Sequence, residues 1–270
     1  MLNRPENQPR VRPAAVAGYF YPAKAEDLRR TIEDLLHGAK IDSHCHDALI
    51  APHAGYIYSG ITAAHAYAGL QKGDRSIKRV ILLGPAHRVY VRGLALSSAT
   101  HFETPLGQIE VDLDAIELIR DLPQVTISDQ AHAQEHSLEV HLPFLQHTLK
   151  SFRLVPLVVG ESSPDEVMEV IETYWGDDDS LTIISTDLSH YYDYETACRL
   201  DKHTTQLIET LQYEAIGPEQ ACGCRPLNGL LHLAREKDLT VQTLDLRNSG
   251  DTGGTKDRVV GYGAYGLCRH

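Results

Sequence analysis

Three stretches decide how this chain reads: Ala48-Leu49-Ile50-Ala51-Pro52-His53-Ala54-Gly55-Tyr56, Val80-Ile81-Leu82-Leu83-Gly84-Pro85-Ala86-His87, and Leu181-Thr182-Ile183-Ile184-Ser185-Thr186-Asp187-Leu188-Ser189-His190. Each is a short apolar run of the kind that forms a buried strand, and each ends in a turn carrying a histidine. Open α/β sheets place their ligands outside the carboxyl ends of their strands. Imidazole is the commonest metal ligand and a proton shuttle near neutral pH. Pro52 and Pro85 bias the residues before them toward extended backbone, which stiffens the turns that hold His53 and His87.

Working outward, helical spacing alternates with apolar runs. Ala25 to Leu36 carries Leu28, Ile32, Leu35 and Leu36 on one face. An alanine-rich helix is expected over Gly60 to Leu70 with Ser59 as its cap, and others over Asp112 to Asp121, Thr196 to Leu211 and Pro226 to Glu236. His136 to Lys150 is helical in pattern, with Pro143 in a first turn or at a kink. Ser163 to Tyr174 has Ser163 as cap and Pro164 at its first position. Further strands are expected at Arg153 to Val159, Val241 to Leu246 and Val259 to Leu267. Gly93 to Ser97 and Ile109 to Val111 flank the turn-like Thr104-Pro105-Leu106-Gly107, which suggests a hairpin or meander at the sheet edge. The alternation predicts an α/β fold: a three-layer α/β/α sandwich around a mixed, mostly parallel sheet. It is expected as one domain over 12–270, after a flexible polar tail over 1–11.

The formal net charge of −12 excludes nucleic acid as the main partner, because phosphate binding needs a basic surface. No apolar stretch approaches the roughly 20 residues of a membrane helix. The polar start of the chain has no secretory signal pattern, so a cytoplasmic protein with no membrane partner is expected. The five cysteines, Cys45, Cys198, Cys222, Cys224 and Cys268, are an odd, scattered set that reads as reduced thiols.

Most of the 15 histidines, His44, His46 and His270 among them, have no pattern around them and read as surface or structural residues. The segment Glu135 to Pro143 is dense in ionisable groups; His136 and Glu139 would share a helical face, and His141 follows. It could equally be a helix start with a carboxylate at the positive end of the dipole. Thr186 to His190 offers a carboxylate and an imidazole for metal ligation, acid/base work or a serine nucleophile, or simply a helix cap. Ser189 lacks the nucleophile-elbow context. Cys222-Gly223-Cys224-Arg225-Pro226 precedes a helix, where a thiol pKa is lowered, although two small residues in a tight turn explain it as well.

Taken together, the chain resembles the Memo family. The matching segments are Arg12-Pro13-Ala14-Ala15-Val16-Ala17-Gly18-Tyr19-Phe20-Tyr21-Pro22, Ala51 to Tyr56, Gly84 to His87, Glu135 to Phe144, Asp187 to Tyr191, Cys222-Gly223 with Pro226, and Asn248-Ser249-Gly250-Asp251. The resemblance implies a fold like that of class III extradiol dioxygenases and a metal held by His53, His87 and Cys222, with Cys224 as a second thiol nearby. It implies pocket roles for Asp187 and His190, the latter as acid/base. Tyr56, His136, Glu139 and His141 are the expected substrate-binding residues. Two imidazoles and a thiolate favour iron(II), then copper, with zinc third. The chemistry implied is redox or dioxygenase-like, on an unknown small substrate. Bacterial relatives imply radical-SAM and AMMECR-type protein partners.

Two other readings compete: a non-catalytic module that binds a peptide or partner protein, and a zinc hydrolase with a metal-bound water. Relatives in animals are linked to phosphotyrosine-bearing receptors, but no arginine cluster is evident around the pocket segments.

Overall fold

The computed structural model describes residues 9–40, 47–71 and 76–269. Most of the expected tail, together with His44, Cys45, His46 and His270, lies outside the described residues. In chain order come β1 (Val11–Arg12), α1 (Ala25–Gly38), β2 (Ala48–Ala51), α2 (Tyr56–Tyr67), β3 (Arg79–Pro85), β4 (Leu94–Leu96), β5 (His101–Thr104) and β6 (Gly107–Glu110). Next are α3 (Leu113–Glu117), β7 (Val125–Ile127), α4 (Asp129–Ala133), α5 (Leu142–Thr148), β8 (Arg153–Val159), α6 (Pro164–Glu172) and β9 (Ser180–Ser185). The chain closes with β10 (His190–Tyr192), α7 (Tyr194–Glu209), α8 (Cys224–Glu236), β11 (Thr240–Asn248) and β12 (Val259–Cys268).

The three opening stretches become adjacent strands. β2, β9, β3 and β8 pair in parallel in that order, so His53, Asp187 and His87 emerge at one end of the sheet. β2 and β9 are buried at every position and β3 at all but its first, as strands covered on both faces should be.

The architecture is α/β with mixed sheets, but the main sheet is not mostly parallel. β10–β12, β11–β12, β12–β2 and β4–β8 pair antiparallel, matching the parallel pairings β2–β9, β3–β9, β3–β8 and β4–β7 in number. A parallel neighbour needs a crossover, whereas β11 and β12 are joined by a short reversal over residues 249–258. Alternation of helices and strands in sequence does not register such reversals at the flanks. A hairpin does form about the expected turn, as β5 and β6, but with β1 it makes a separate three-stranded sheet; the expected first arm, Gly93 to Ser97, instead holds β4, which pairs with β7 and β8 in the main sheet.

Local chemistry explains the helices. In α1, Leu28, Ile32 and Leu36 are buried at successive turns. Ser163 caps α6 in a capping box with Glu166, and Pro164 takes the first turn. Pro143 sits in the first turn of α5. Ser59 is no cap: α2 already starts at Tyr56, and the Ser59 hydroxyl donates to the carbonyl of Ala54. α2 packs on β2, β11 and β12, α7 on β11 and β12, and α8 on β3 and β9 with α6 against it. Arg10 donates to the Ser98 carbonyl, and Val11 opens β1, so these two residues of the expected tail are tied to the fold.

Candidate metal centre

At the carboxyl end of the parallel strands opens a cleft of about 1150 Å³, lined by His53, His87, His136, Asp187, His190 and Cys222 among others. Ligand-capable atoms of His53, His87 and His136 lie within 4.8 Å of one another. Two glycines allow the convergence. A Cβ on Gly84 would come within 2.8 Å of Ser137 Oγ, so only glycine lets the His136 segment approach β3. A Cβ on Gly223 would come within 2.5 Å of the Ser185 carbonyl oxygen, which would push Cys222 away from β9.

His53 is fully buried, and Ser185 sets its tautomer. The Ser185 hydroxyl donates to the Ser137 carbonyl at 2.6 Å, so toward His53 Nδ1, also at 2.6 Å, it can only accept. Nδ1 therefore carries the hydrogen, and the Nε2 lone pair faces the cleft, 3.4 Å from Cys222 Sγ. Burial, then the neighbouring imidazoles, hold the His53 pKa well below the usual histidine range, so the ring is neutral.

His87 is fixed the same way by Glu135. The carboxylate accepts from His87 Nδ1 at 2.9 Å and from the backbone N–H groups of His87, His136 and Ser137. Burial opposes its charge, but these donors win and bring the Glu135 pKa down to about 2. His136 stacks on His87, centroids 4.8 Å apart, and meets His53 edge-on at 5.4 Å. Burial lowers its pKa to about 4, and its buried Nδ1 has no hydrogen-bond partner among the described residues. That nitrogen lies 3.4 Å from Glu135 Oε1; the neutral His136 ring beside two oriented imidazoles makes a donor set that fits a transition metal.

Cys222 faces the same space, whereas Cys224 begins α8 and is not part of the cleft lining. The expected lowering of the thiol pKa at a helix start is overturned. Burial, reinforced by Asp187, pushes Cys222 up to about 12. Asp187 caps no helix; it accepts from the His53 backbone N–H at 2.8 Å, and its own pKa is raised to about 6 by burial. His190 donates Nδ1–H to the Leu188 carbonyl at 2.8 Å, which leaves Nε2 as an acceptor.

Tyr56, Glu139 and His141, expected at the substrate, line no part of the cleft. The Tyr56 hydroxyl donates to the Val140 carbonyl and its ring packs on Phe144. Glu139 anchors the N-terminal segment: its carboxylate pairs with buried Arg12 and accepts from the N–H groups of Ala15 and Val16 and the Tyr21 hydroxyl. His141 Nδ1 bonds the Tyr67 hydroxyl inside the core. Sequence reading passed over Ser185, Glu135, Arg88 and Arg258. Glu135 was adjacent to a chosen histidine, and an acidic neighbour was the only available signal.

The fold and the cleft define an α/β protein with convergent imidazoles, and a nearby thiol, at the ends of buried parallel strands. The family model described as "Memo-like protein" matches residues 12–265, and this chain belongs to that family. Its relatives include a MEMO1 family protein of Metallosphaera sedula, 34% identical over 272 residues (92% of this chain, 96% of that one). Another, from Aquifex aeolicus, is 35% identical over 269 residues, with coverage of 94% and 97%. A solved structure of an uncharacterized Escherichia coli K12 protein shares 12% identity at TM-score 0.49, covering 81% of this chain and 99% of that one.

Proposed function

We propose that the protein binds one metal ion through His53 and His87 and uses it for redox chemistry on a small substrate. The observation that carries this reading is the convergence of His53, His87 and His136 within 4.8 Å. His136 and Cys222 are the further donors. The thiol makes the site soft, which favours iron(II), then copper, over magnesium. When bound, iron supplies oxygen-dependent redox chemistry of the kind extradiol dioxygenases perform. The chain's own groups do the rest. Ser185 and Glu135 aim the two imidazoles, Asp187 holds the His53 turn, and His190 Nε2 stands ready to take a proton from substrate.

A hydrolytic zinc reading has one specific support, since three convergent imidazoles would also suit zinc and a bound water. The wider reading includes radical-SAM and AMMECR-type partners, supported by family membership alone, and a cytoplasmic setting, supported by the thiols Cys198, Cys222 and Cys224, which form no disulfide among the described residues. No helix among the described residues is long and apolar enough to cross a membrane.

Anaerobic purification followed by elemental analysis tests the ligand set. Cys222→Ser and His136→Ala are each expected to lower metal content, while Cys224→Ser leaves it unchanged. Full retention in Cys222→Ser with loss in Cys224→Ser would move the sulfur ligand to Cys224. Full retention in both Cys222→Ser and His136→Ala would leave the site with two protein ligands and contradict the proposed donor set.

A further inference from the structure

Asp201 is a buried carboxylate that the metal reading does not use. It sits on α7, is 2% exposed and lines no part of the cleft. Its Oδ1 accepts from the backbone N–H of Ser189 at 2.9 Å. Burial raises its pKa; the Ser189 N–H and hydroxyl, and the charge of a protonated His190, oppose that rise. The fold makes room for this side chain. A Cβ on Gly261 of β12 would overlap the Asp201 carboxyl. Gly261 is not among the glycines with left-handed backbone, so space and not conformation requires it.

One peptide group links Asp201 to His190. The N–H that donates to Asp201 and the carbonyl that accepts His190 Nδ1–H, at 2.8 Å, are the two ends of the Leu188–Ser189 peptide. A planar peptide turns as a unit, so an acceptor for its N–H also sets the direction of its carbonyl. Leu188 and Ser189 are both buried, so both ends must find partners inside the protein. The neighbouring backbone groups are tied to β12: Leu188 N–H donates to the Gly261 carbonyl, and Gly261 N–H to the Ser189 carbonyl, both at 2.8 Å. The turn needs such holding. Tyr191, directly after His190, has a φ of 64°, left-handed backbone that a tyrosine adopts at a cost. The β10–β12 register also shifts between His190 and Tyr192.

We propose that Asp201 is the positioning residue of His190: it holds the Leu188–Ser189 peptide so that the carbonyl keeps the hydrogen on Nδ1 and Nε2 stays open to the cleft as a proton acceptor. This deepens the proposed function and rests on His190 being its acid/base group. Ser185 and Glu135 fix His53 and His87 by direct bonds. Asp201 does the same for His190 at one remove, through a peptide.

Long-range nitrogen–proton NMR of the histidine rings in the metal-free full chain tests it, at about pH 8, where an ordinary imidazole is neutral. His190→Gln identifies the His190 resonances by their loss. In the native chain the ring is expected to carry its hydrogen on Nδ1. In Asp201→Ala that form is expected to fall to about half of the population or less, because the peptide is free to turn. Asp201→Asn keeps an acceptor for the Ser189 N–H and should restore the Nδ1–H form, which a general loosening of the fold would not explain. Asp201→Leu, similar in size and without an acceptor, takes the place of the alanine variant if that one does not fold. A single Nδ1–H form in Asp201→Ala or Asp201→Leu would overturn the proposal, as would its loss in Asp201→Asn. The ring is read without metal or substrate, which separates the two readings. A chain that binds no metal sinks the proposed function and leaves the role of Asp201 standing; a tautomer indifferent to Asp201 sinks this inference and leaves the metal site standing.

Discussion

At Ser185 one hydroxyl does two jobs: its hydrogen goes to the Ser137 carbonyl and its lone pair takes Nδ1–H of His53. Removing it frees the ring to turn and to switch tautomer. Ser185→Ala is therefore expected to weaken metal binding about 10- to 100-fold in chelator competition while the fold persists. Unchanged affinity would mean that packing alone orients His53. His53 and His87 were legible because each ends an apolar run and follows a proline. Ser185 and Glu135 were not, because they reach their imidazoles across 132 and 48 residues of chain. Glu139 and His141 drew attention for the opposite reason, and neither lines the cleft. Polar residues in a dense motif look functional, yet burial makes the Glu139 carboxylate a tie for Arg12 and three N-terminal donors.

At the level of elements, the parallel strands were readable because burial on both faces leaves a continuous apolar signature, and α6 because its cap is written in Ser163, Pro164 and Glu166. Short strands such as β7 and β10, three residues each, carry too little pattern to be seen. The α6–α8 contact offers a test of the packing. A Cβ on Gly229 of α8 would lie 2.4 Å from Val167 Cγ1 and 2.5 Å from its Cβ. Alanine gains about 1 kcal/mol of helix propensity over glycine, but forcing apart two packed helices costs about 1–3 kcal/mol. The clash includes a β-carbon that cannot swing aside, so overpacking should win. Gly229→Ala is expected to lower stability by about 1 kcal/mol in urea unfolding; a more stable variant would show that the two helices separate freely.

For the whole molecule, buried neutral imidazoles govern acid stability. Burial lowers His132 and His136 to about 4 and His141 to about 3, from an ordinary 6.5, and His53 lies well below that value too. The unfolded chain takes up these protons first, so their contribution is full above 6.5 and is lost as pH falls toward 4. Asp187, raised to about 6, and Asp201, also raised by burial, work the other way, but they are two groups against four. Metal-free protein should thus unfold at lower urea at about pH 5 than at about pH 7.5, and an equal or higher midpoint at the lower pH would refute the assignment of neutral rings. The overall charge and the chain of βα crossovers were legible; the antiparallel flanks were not, since pairing direction depends on which end of the sheet a loop returns to. All of this converges on the strand-end cleft. The most direct measurement is the metal stoichiometry of the anaerobically purified protein beside a His53→Ala/His87→Ala double variant. The expected result is one metal per chain in the first and none in the second, with the same circular dichroism spectrum; a double variant that keeps its metal would contradict the account.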